Sequence, residues 1–163
     1  MKIARYRLGN LTTWGIVEGD TATDIVGSPF NNFETTDRTH KLEDLVLLAP
    51  ATPRNLLTAG INSESHGKNM ERASYIPDSF VQKDPQVSIR NITSIVGPES
   101  QVIRYDYPDK TCEEVELVVV IGKTCKNVTG KDIFDYIFGY TVGNDVTNWG
   151  GEERREIWRA KNA

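Results

Sequence analysis

Glu114-Val115-Glu116-Leu117-Val118-Val119-Val120-Ile121-Gly122 sets two acids into an unbroken β-branched and aliphatic run that glycine closes. Such a run predicts a buried strand, and side chains two apart on a strand share a face, so Glu114 and Glu116 look the same way. Two carboxylates roughly 7 Å apart on a partly buried face repel by about 2 kcal/mol at an effective dielectric near 20. A hard cation is the simplest compensation. Downstream, Tyr140-Thr141-Val142-Gly143-Asn144-Asp145-Val146 alternates like a second strand and sets Asp145 near its end. Three carboxylates with no cysteine or histidine beside them form an oxygen-only donor set, which suits Mg²⁺ or Mn²⁺ better than zinc. The same spacing also fits a solvated strand face with Asp145 capping a turn.

Composition bounds the partners. A chain of 163 residues allows one moderate domain, or one plus a small appendage, and is long enough to bury a core. A net charge of -4 with no basic stripe argues against a nucleic-acid surface. No apolar run approaches a transmembrane length, and the first residues lack the apolar centre of a signal peptide, so the expectation is a cytoplasmic protein with no membrane partner. Cys112 and Cys125 belong to no CxxC pair and are expected to be plain thiols.

Working outward, residues 2–8, 12–17 and 21–26 alternate around the turns Gly9-Asn10 and Glu18-Gly19-Asp20 and predict a small β-meander. Residues 27–40, with Pro29 and many Asn, Thr and Ser, predict a linker or surface loop. Leu42, Leu45, Val46 and Leu48 fit one face of a short helix that stops at Pro50. Pro50 and Pro53 then mark the boundary between a small N-terminal β region with its linker, residues 1–50, and a catalytic domain, residues 53–163.

Beyond that boundary Leu56-Leu57-Thr58-Ala59-Gly60 is a short apolar strand that opens through Ile61-Asn62 into a helical stretch, residues 63–70, with His66 near its start. Binding loops often sit at such junctions. His66 alone is more readily a surface residue than a catalyst, and His40 lies in the polar linker with no assigned role. Residues 71–85 are polar and broken by Pro77 and Pro85, in the manner of a lid. Strand-like alternation resumes over 87–95 and 101–105, around the turn Gly97-Pro98-Glu99-Ser100. Thr129 with Asp132 resembles an N-cap pair for a helix whose apolar side is Ile133, Phe134, Ile137 and Phe138, a core-packing cluster ended by Gly139. Residues 151–163 carry acids first and bases later, as a helix dipole favours, and run out without a stop signal, so the chain looks truncated at its C-terminus.

Taken in order, Gly60-Ile61-Asn62 with His66, Ser94-Ile95-Val96-Gly97-Pro98, Glu114-Val115-Glu116-Leu117 into Val120-Ile121-Gly122-Lys123, Gly139-Tyr140-Thr141-Val142 with Asn144-Asp145-Val146-Thr147, and Trp158-Arg159-Ala160-Lys161 resemble the fumarylacetoacetate hydrolase family. Any one motif is weak, and five in register are specific.

The resemblance implies a mainly β fold with short helices (α+β), a mixed β-roll behind the small meander, usually as a homodimer with a Mg²⁺ or Mn²⁺ ion. It implies a metal-dependent hydrolase, lyase or isomerase that cleaves, decarboxylates or isomerises a 2-oxo or 1,3-dioxo acid, such as an acylpyruvate, through a metal-stabilised enolate. Glu114, Glu116 and Asp145 fall on the family's metal-ligand positions, His66 on the histidine that activates water or moves a proton, and Lys161 on the lysine that faces substrate. Arg90 is a candidate for meeting a substrate carboxylate. The chain departs from the family at Ser63, where tyrosine is frequent; at Asn69, where a glutamate often partners the histidine; at Asn148-Trp149-Gly150, where an arginine is frequent; and at Ile89-Arg90-Asn91, in place of an aromatic-aliphatic-lysine motif. A catalytically weak homologue that binds a small carboxylate, and a non-catalytic interaction module, are the alternatives.

Overall fold

Apolar and polar residues alternate from Lys2 onward, and in the computed structural model, which describes residues 1–72, 86–103 and 110–149, they form three antiparallel strands. These are β1 (Lys2–Leu8), β2 (Leu11–Glu18) and β3 (Thr21–Gly27), as the meander pattern predicts. The stretch expected to be a linker instead forms β4 (Phe33–Lys41), paired from Thr21↔Lys41 to Gly27↔Phe33 with an irregularity between Thr23 and Ile25. As an edge strand it needs no apolar stripe, and its charged residues Asp37, Arg38 and Lys41 discourage pairing with another chain. The helix expected near Leu42 is also corrected. A single 3₁₀ turn, Leu42–Asp44, leads into β5 (Val46–Leu48), which pairs with the free side of β1. The sheet order is β4-β3-β2-β1-β5.

The core of this sheet is Tyr6, Ala22 and Leu45, with Ala4, Val17, Leu42 and Leu47 packed against them. Tyr6 is fully buried, and its phenol passes over Gly15 of β2 to donate a hydrogen bond to Asp24 on β3. A Cβ at position 15 would lie 2.6 Å from the Tyr6 hydroxyl, so only glycine leaves the phenol its path. Asp24 is 2% exposed and sits where the β3–β4 register shifts. Its second oxygen lies 3.1 Å from Arg38 Nε, and its first lies 3.1 Å from Nε2 of His40, which belongs to β4 rather than to a linker. Burial and the Asp24 hydrogen bond together push the Tyr6 phenol well above its ordinary pKa.

Contacts divide the chain into two compact units, one joining residues 1–52 to those from Ile95 onward and the other spanning 53–94. In the second unit β6 (Leu56–Gly60) pairs antiparallel with β7 (Gln86–Arg90), and α1 (Glu64–Arg72) follows β6. A 3₁₀ turn over Ile92–Ser94 ends the strand-like stretch earlier than the pattern suggests. In the first unit β8 (Lys110–Cys112) pairs with β11 (Thr147–Trp149), and β9 (Val115–Ile121) pairs with β10 (Ile137–Asn144).

Two expectations about the β9–β10 region are corrected. The helix expected from Thr129 is a 3₁₀ helix, Gly130–Tyr136, without a side-chain cap bond, and Ile137 and Phe138 belong to β10. Phe138 packs 4.4 Å from Phe30, whereas Phe134 is exposed and not in a core. Strand β9 is not buried on both faces. Val115, Leu117, Val119 and Ile121 are exposed, while Glu116, Val118 and Val120 are half-buried. Residues 101–103 have no regular structure, and 104–105, most of the 71–85 loop, and the whole 151–163 segment lie outside the described residues. Among the described residues no helix is long and apolar enough to cross a membrane. The architecture is mainly β with short helices, as the sequence implies.

Candidate metal centre

The β9–β10 register sets Val115 opposite Asn144 and Glu116 opposite Gly143, and one step further it sets Glu114 opposite Asp145. The Asp145 N–H donates to the Glu114 carbonyl at 2.9 Å, so the two chains remain joined just beyond the last ladder pair. Residues of like parity on paired strands share a face. Glu114, Glu116 and Asp145 therefore point the same way.

Their carboxylates converge. Each offers an oxygen, and the three oxygens all lie within 4.8 Å of one another, with all three residues half-buried. At that spacing and an effective dielectric near 20, each pair of charges repels by at least about 3.5 kcal/mol. The position opposite Glu116 carries no side chain, and a Cβ on Gly143 would lie 2.8 Å from Val118 Cγ2, so Val118 already crowds the space beside that position. A half-buried, converging, oxygen-only set is the donor chemistry of a hard divalent cation. A solvated strand face would have left the three side chains to diverge into water.

The other residues singled out from the sequence belong to other elements. His66 is on α1 with an exposed imidazole, and its backbone N–H donates to Ser63 Oγ at 3.2 Å. Ser63 is thus the N-cap of the helix that carries the histidine. Just before it, the β-branched Ile61 has φ +42°, a left-handed conformation that such residues rarely adopt. Arg90 ends β7, half-buried, and its Nη1 donates to Ser88 Oγ at 2.9 Å. His66 and Arg90 belong to the 53–94 unit and the carboxylates to the other. Lys161 lies outside the described residues. Sequence reasoning gave no role to Asn144, whose Oδ1 accepts the Glu114 N–H at 3.1 Å, or to the buried Thr147, whose Oγ1 donates to the Asp145 carbonyl at 3.2 Å. Their only signal was adjacency to Asp145.

The profile of the fumarylacetoacetate hydrolase C-terminal domain matches residues 55–163, which include all three carboxylates. The chain belongs to the fumarylacetoacetate hydrolase family. Residues 1–50 match a second profile, the Rv2993c-like N-terminal domain. Among fumarylacetoacetate hydrolase relatives, the domain-containing protein 2 homolog of Dictyostelium discoideum is 34% identical over 72% of this chain and 37% of its own length. A maleylpyruvate hydrolase of Aquipseudomonas alcaligenes is 34% identical over 69% of this chain and 42% of its own. The crystal structure of a 5-carboxymethyl-2-hydroxymuconate delta-isomerase from Mycobacterium smegmatis superposes with a TM-score of 0.81 at 28% identity, covering 100% of this chain and 62% of that one. The chain thus spans less than two thirds of the length of each of these proteins.

Proposed function

We propose that this fumarylacetoacetate hydrolase family member is a divalent-metal-dependent enzyme that hydrolyses, decarboxylates or isomerises a 2-oxo or 1,3-dioxo acid by way of an enolate. The observation that carries this reading is the convergence of Glu114, Glu116 and Asp145, with oxygens within 4.8 Å of one another, on one face of the β9–β10 hairpin. The activities of its relatives, a maleylpyruvate hydrolase and a muconate-type isomerase, supply the substrate class.

Glu114, Glu116 and Asp145 would hold a Mg²⁺ or Mn²⁺ ion, and three protein carboxylates leave coordination positions open. An ion held there would supply Lewis acidity toward the keto group of a 2-oxo acid. His66 is assigned general-base work on water, on a helix whose start Ser63 fixes. Lys161 is assigned positive charge at the oxygen or leaving carboxylate where negative charge develops. Arg90 is assigned to a substrate carboxylate, for which its planar fork is suited. The protein acts in this reading as a homodimer in the cytoplasm.

One observation favours a second reading, a weakly active homologue that binds a small carboxylate: Asn69 stands where family members often carry the histidine's glutamate partner. Calorimetry of the full-length protein with Mg²⁺ and Mn²⁺, followed by loss of acylpyruvate enol absorbance and pyruvate release from oxaloacetate, decides between them. Turnover that disappears in both His66→Ala and Lys161→Ala supports the enzyme. Metal binding with silence across the substrate panel supports the binder. Metal binding unchanged in Glu116→Gln removes the metal reading altogether.

A further inference from the structure

We infer that Asn144 is a positioning residue for the carboxylate cluster, holding Glu114 and Asp145 in register by standing in for a missing rung of the β-ladder. The inference rests on the metal reading above. In a regular antiparallel ladder two directly opposed residues of the hydrogen-bonded kind exchange both N–H···O bonds. Glu114 and Asp145 are opposed, but they make only one of the two, from the Asp145 N–H to the Glu114 carbonyl at 2.9 Å. The reciprocal partner has been replaced. Glu114 donates its N–H to the side-chain Oδ1 of Asn144 at 3.1 Å, and the Asp145 carbonyl that would have taken it accepts instead from Thr147 Oγ1 at 3.2 Å.

Every backbone polar group of the two opposed ligands is accordingly satisfied, yet the ladder has been left. That interruption is brief. The pairing resumes in unchanged register at Cys112↔Thr147, so the Asn144 amide bridges a gap within one continuous hairpin, and the buried Thr147 fixes the far side of it. Asn144 occupies the opposite face from the carboxylates, so it reaches Glu114 by its backbone and leaves the cation's side of the hairpin clear. Side chains that orient metal ligands without touching the ion commonly change affinity 10- to 100-fold when removed.

The test compares full-length wild type with Asn144→Ala, which deletes the acceptor, and Asn144→Asp, which keeps Oδ1 in place. Mn²⁺ affinity is read by electron paramagnetic resonance titration in 0.5 M KCl, where an added surface charge is largely screened. Hydrogen exchange of the Glu114 amide is read without metal. Asn144→Ala is expected to expose that amide to exchange and to weaken Mn²⁺ binding about 10- to 100-fold, while Asn144→Asp retains protection and recovers most of the affinity. Unchanged affinity in Asn144→Ala, with wild type binding normally, overturns this inference alone. Equal loss in both variants also overturns it. Should Asn144→Ala not fold, Asn144→Asp decides, because loss of Mn²⁺ binding there contradicts the role given to Oδ1. Wild type that binds no Mn²⁺ removes the metal reading, and this inference with it.

Discussion

The two ends of the first unit put carboxylates to opposite uses. In the N-terminal sheet a single acid, Asp24, is buried, accepts the Tyr6 hydroxyl, pairs with Arg38 and has His40 Nε2 3.1 Å away. On the β9–β10 hairpin three acids face one another at one half-buried site. The first arrangement satisfies a charge with the protein's own groups and strengthens the sheet. The second concentrates three carboxylates whose oxygens lie within 4.8 Å of one another, the donor set proposed above for a divalent ion. The hairpin also lacks a core of its own, because the apolar face of β9, with Val115 at 81% and Leu117 at 73% exposed, stands open among the described residues. Stability and candidate function are therefore placed in different strands.

That contrast can be broken at several points, the largest effect first. Glu116→Gln is expected to weaken Mn²⁺ binding by roughly a hundredfold, since ligand charge sets affinity at such sites. The same change should leave the metal-free protein as stable as wild type or more so, because it removes two repulsive pairs. Calorimetry and metal-free denaturation together check it, and a metal-free destabilisation above about 1 kcal/mol would show the cluster to be structural after all. Asp24→Ala should do the reverse. It is expected to cost about 2 kcal/mol in urea denaturation by leaving the Tyr6 hydroxyl buried without an acceptor, with Mn²⁺ affinity unchanged.

A smaller loss is expected for Gly15→Ala, whose Cβ would lie 2.6 Å from the Tyr6 hydroxyl and 2.8 Å from the Thr23 carbonyl, at about 1–2 kcal/mol. The gentlest test is alkaline pH. The Tyr6 phenol is held neutral by burial and by its bond to Asp24, so its folded pKa lies above the ordinary value of 10.0. Its contribution is complete below that value and declines as pH rises above it, because the unfolded chain then releases a proton that the folded chain retains. Stability should fall by roughly 1 kcal/mol per pH unit above about 10, and Tyr6→Phe should flatten that slope. An identical slope in the variant would locate the alkaline sensitivity elsewhere.

Much of this arrangement is visible in the amino-acid order. The alternation in β1 to β3 gives the meander, and the parity of Glu114, Glu116 and Asp145 anticipates a shared face that the β9–β10 register then joins. What escapes has a physical reason in each case. Strand β4 is polar on both faces because it lies at a sheet edge, so it carries no apolar period to read. Strand β5 is three residues long, and Leu42 and Leu45, which serve the core, blend with Val46 and Leu48 into a false helical period. Ile133, Phe134, Ile137 and Phe138 likewise mimic a helix face, although the last two begin β10. The exposure of one face of β9 cannot be seen either, since an apolar run looks the same whether one side or both are covered. The role of Asn144 depends on a side chain meeting a backbone group thirty positions away, which no local pattern encodes.

The placement of the three acids also makes the hairpin conditional on its environment. An ion gripped from both β9 and the residue after β10 would act as a removable staple closing a loop of about thirty residues, and a closed loop of that size takes freedom mainly from the unfolded chain. Chelators would then behave as mild denaturants directed at one hairpin, starving the protein of metal would loosen it before any substrate was in question, and the Tyr6 sheet would stand unaffected beside it.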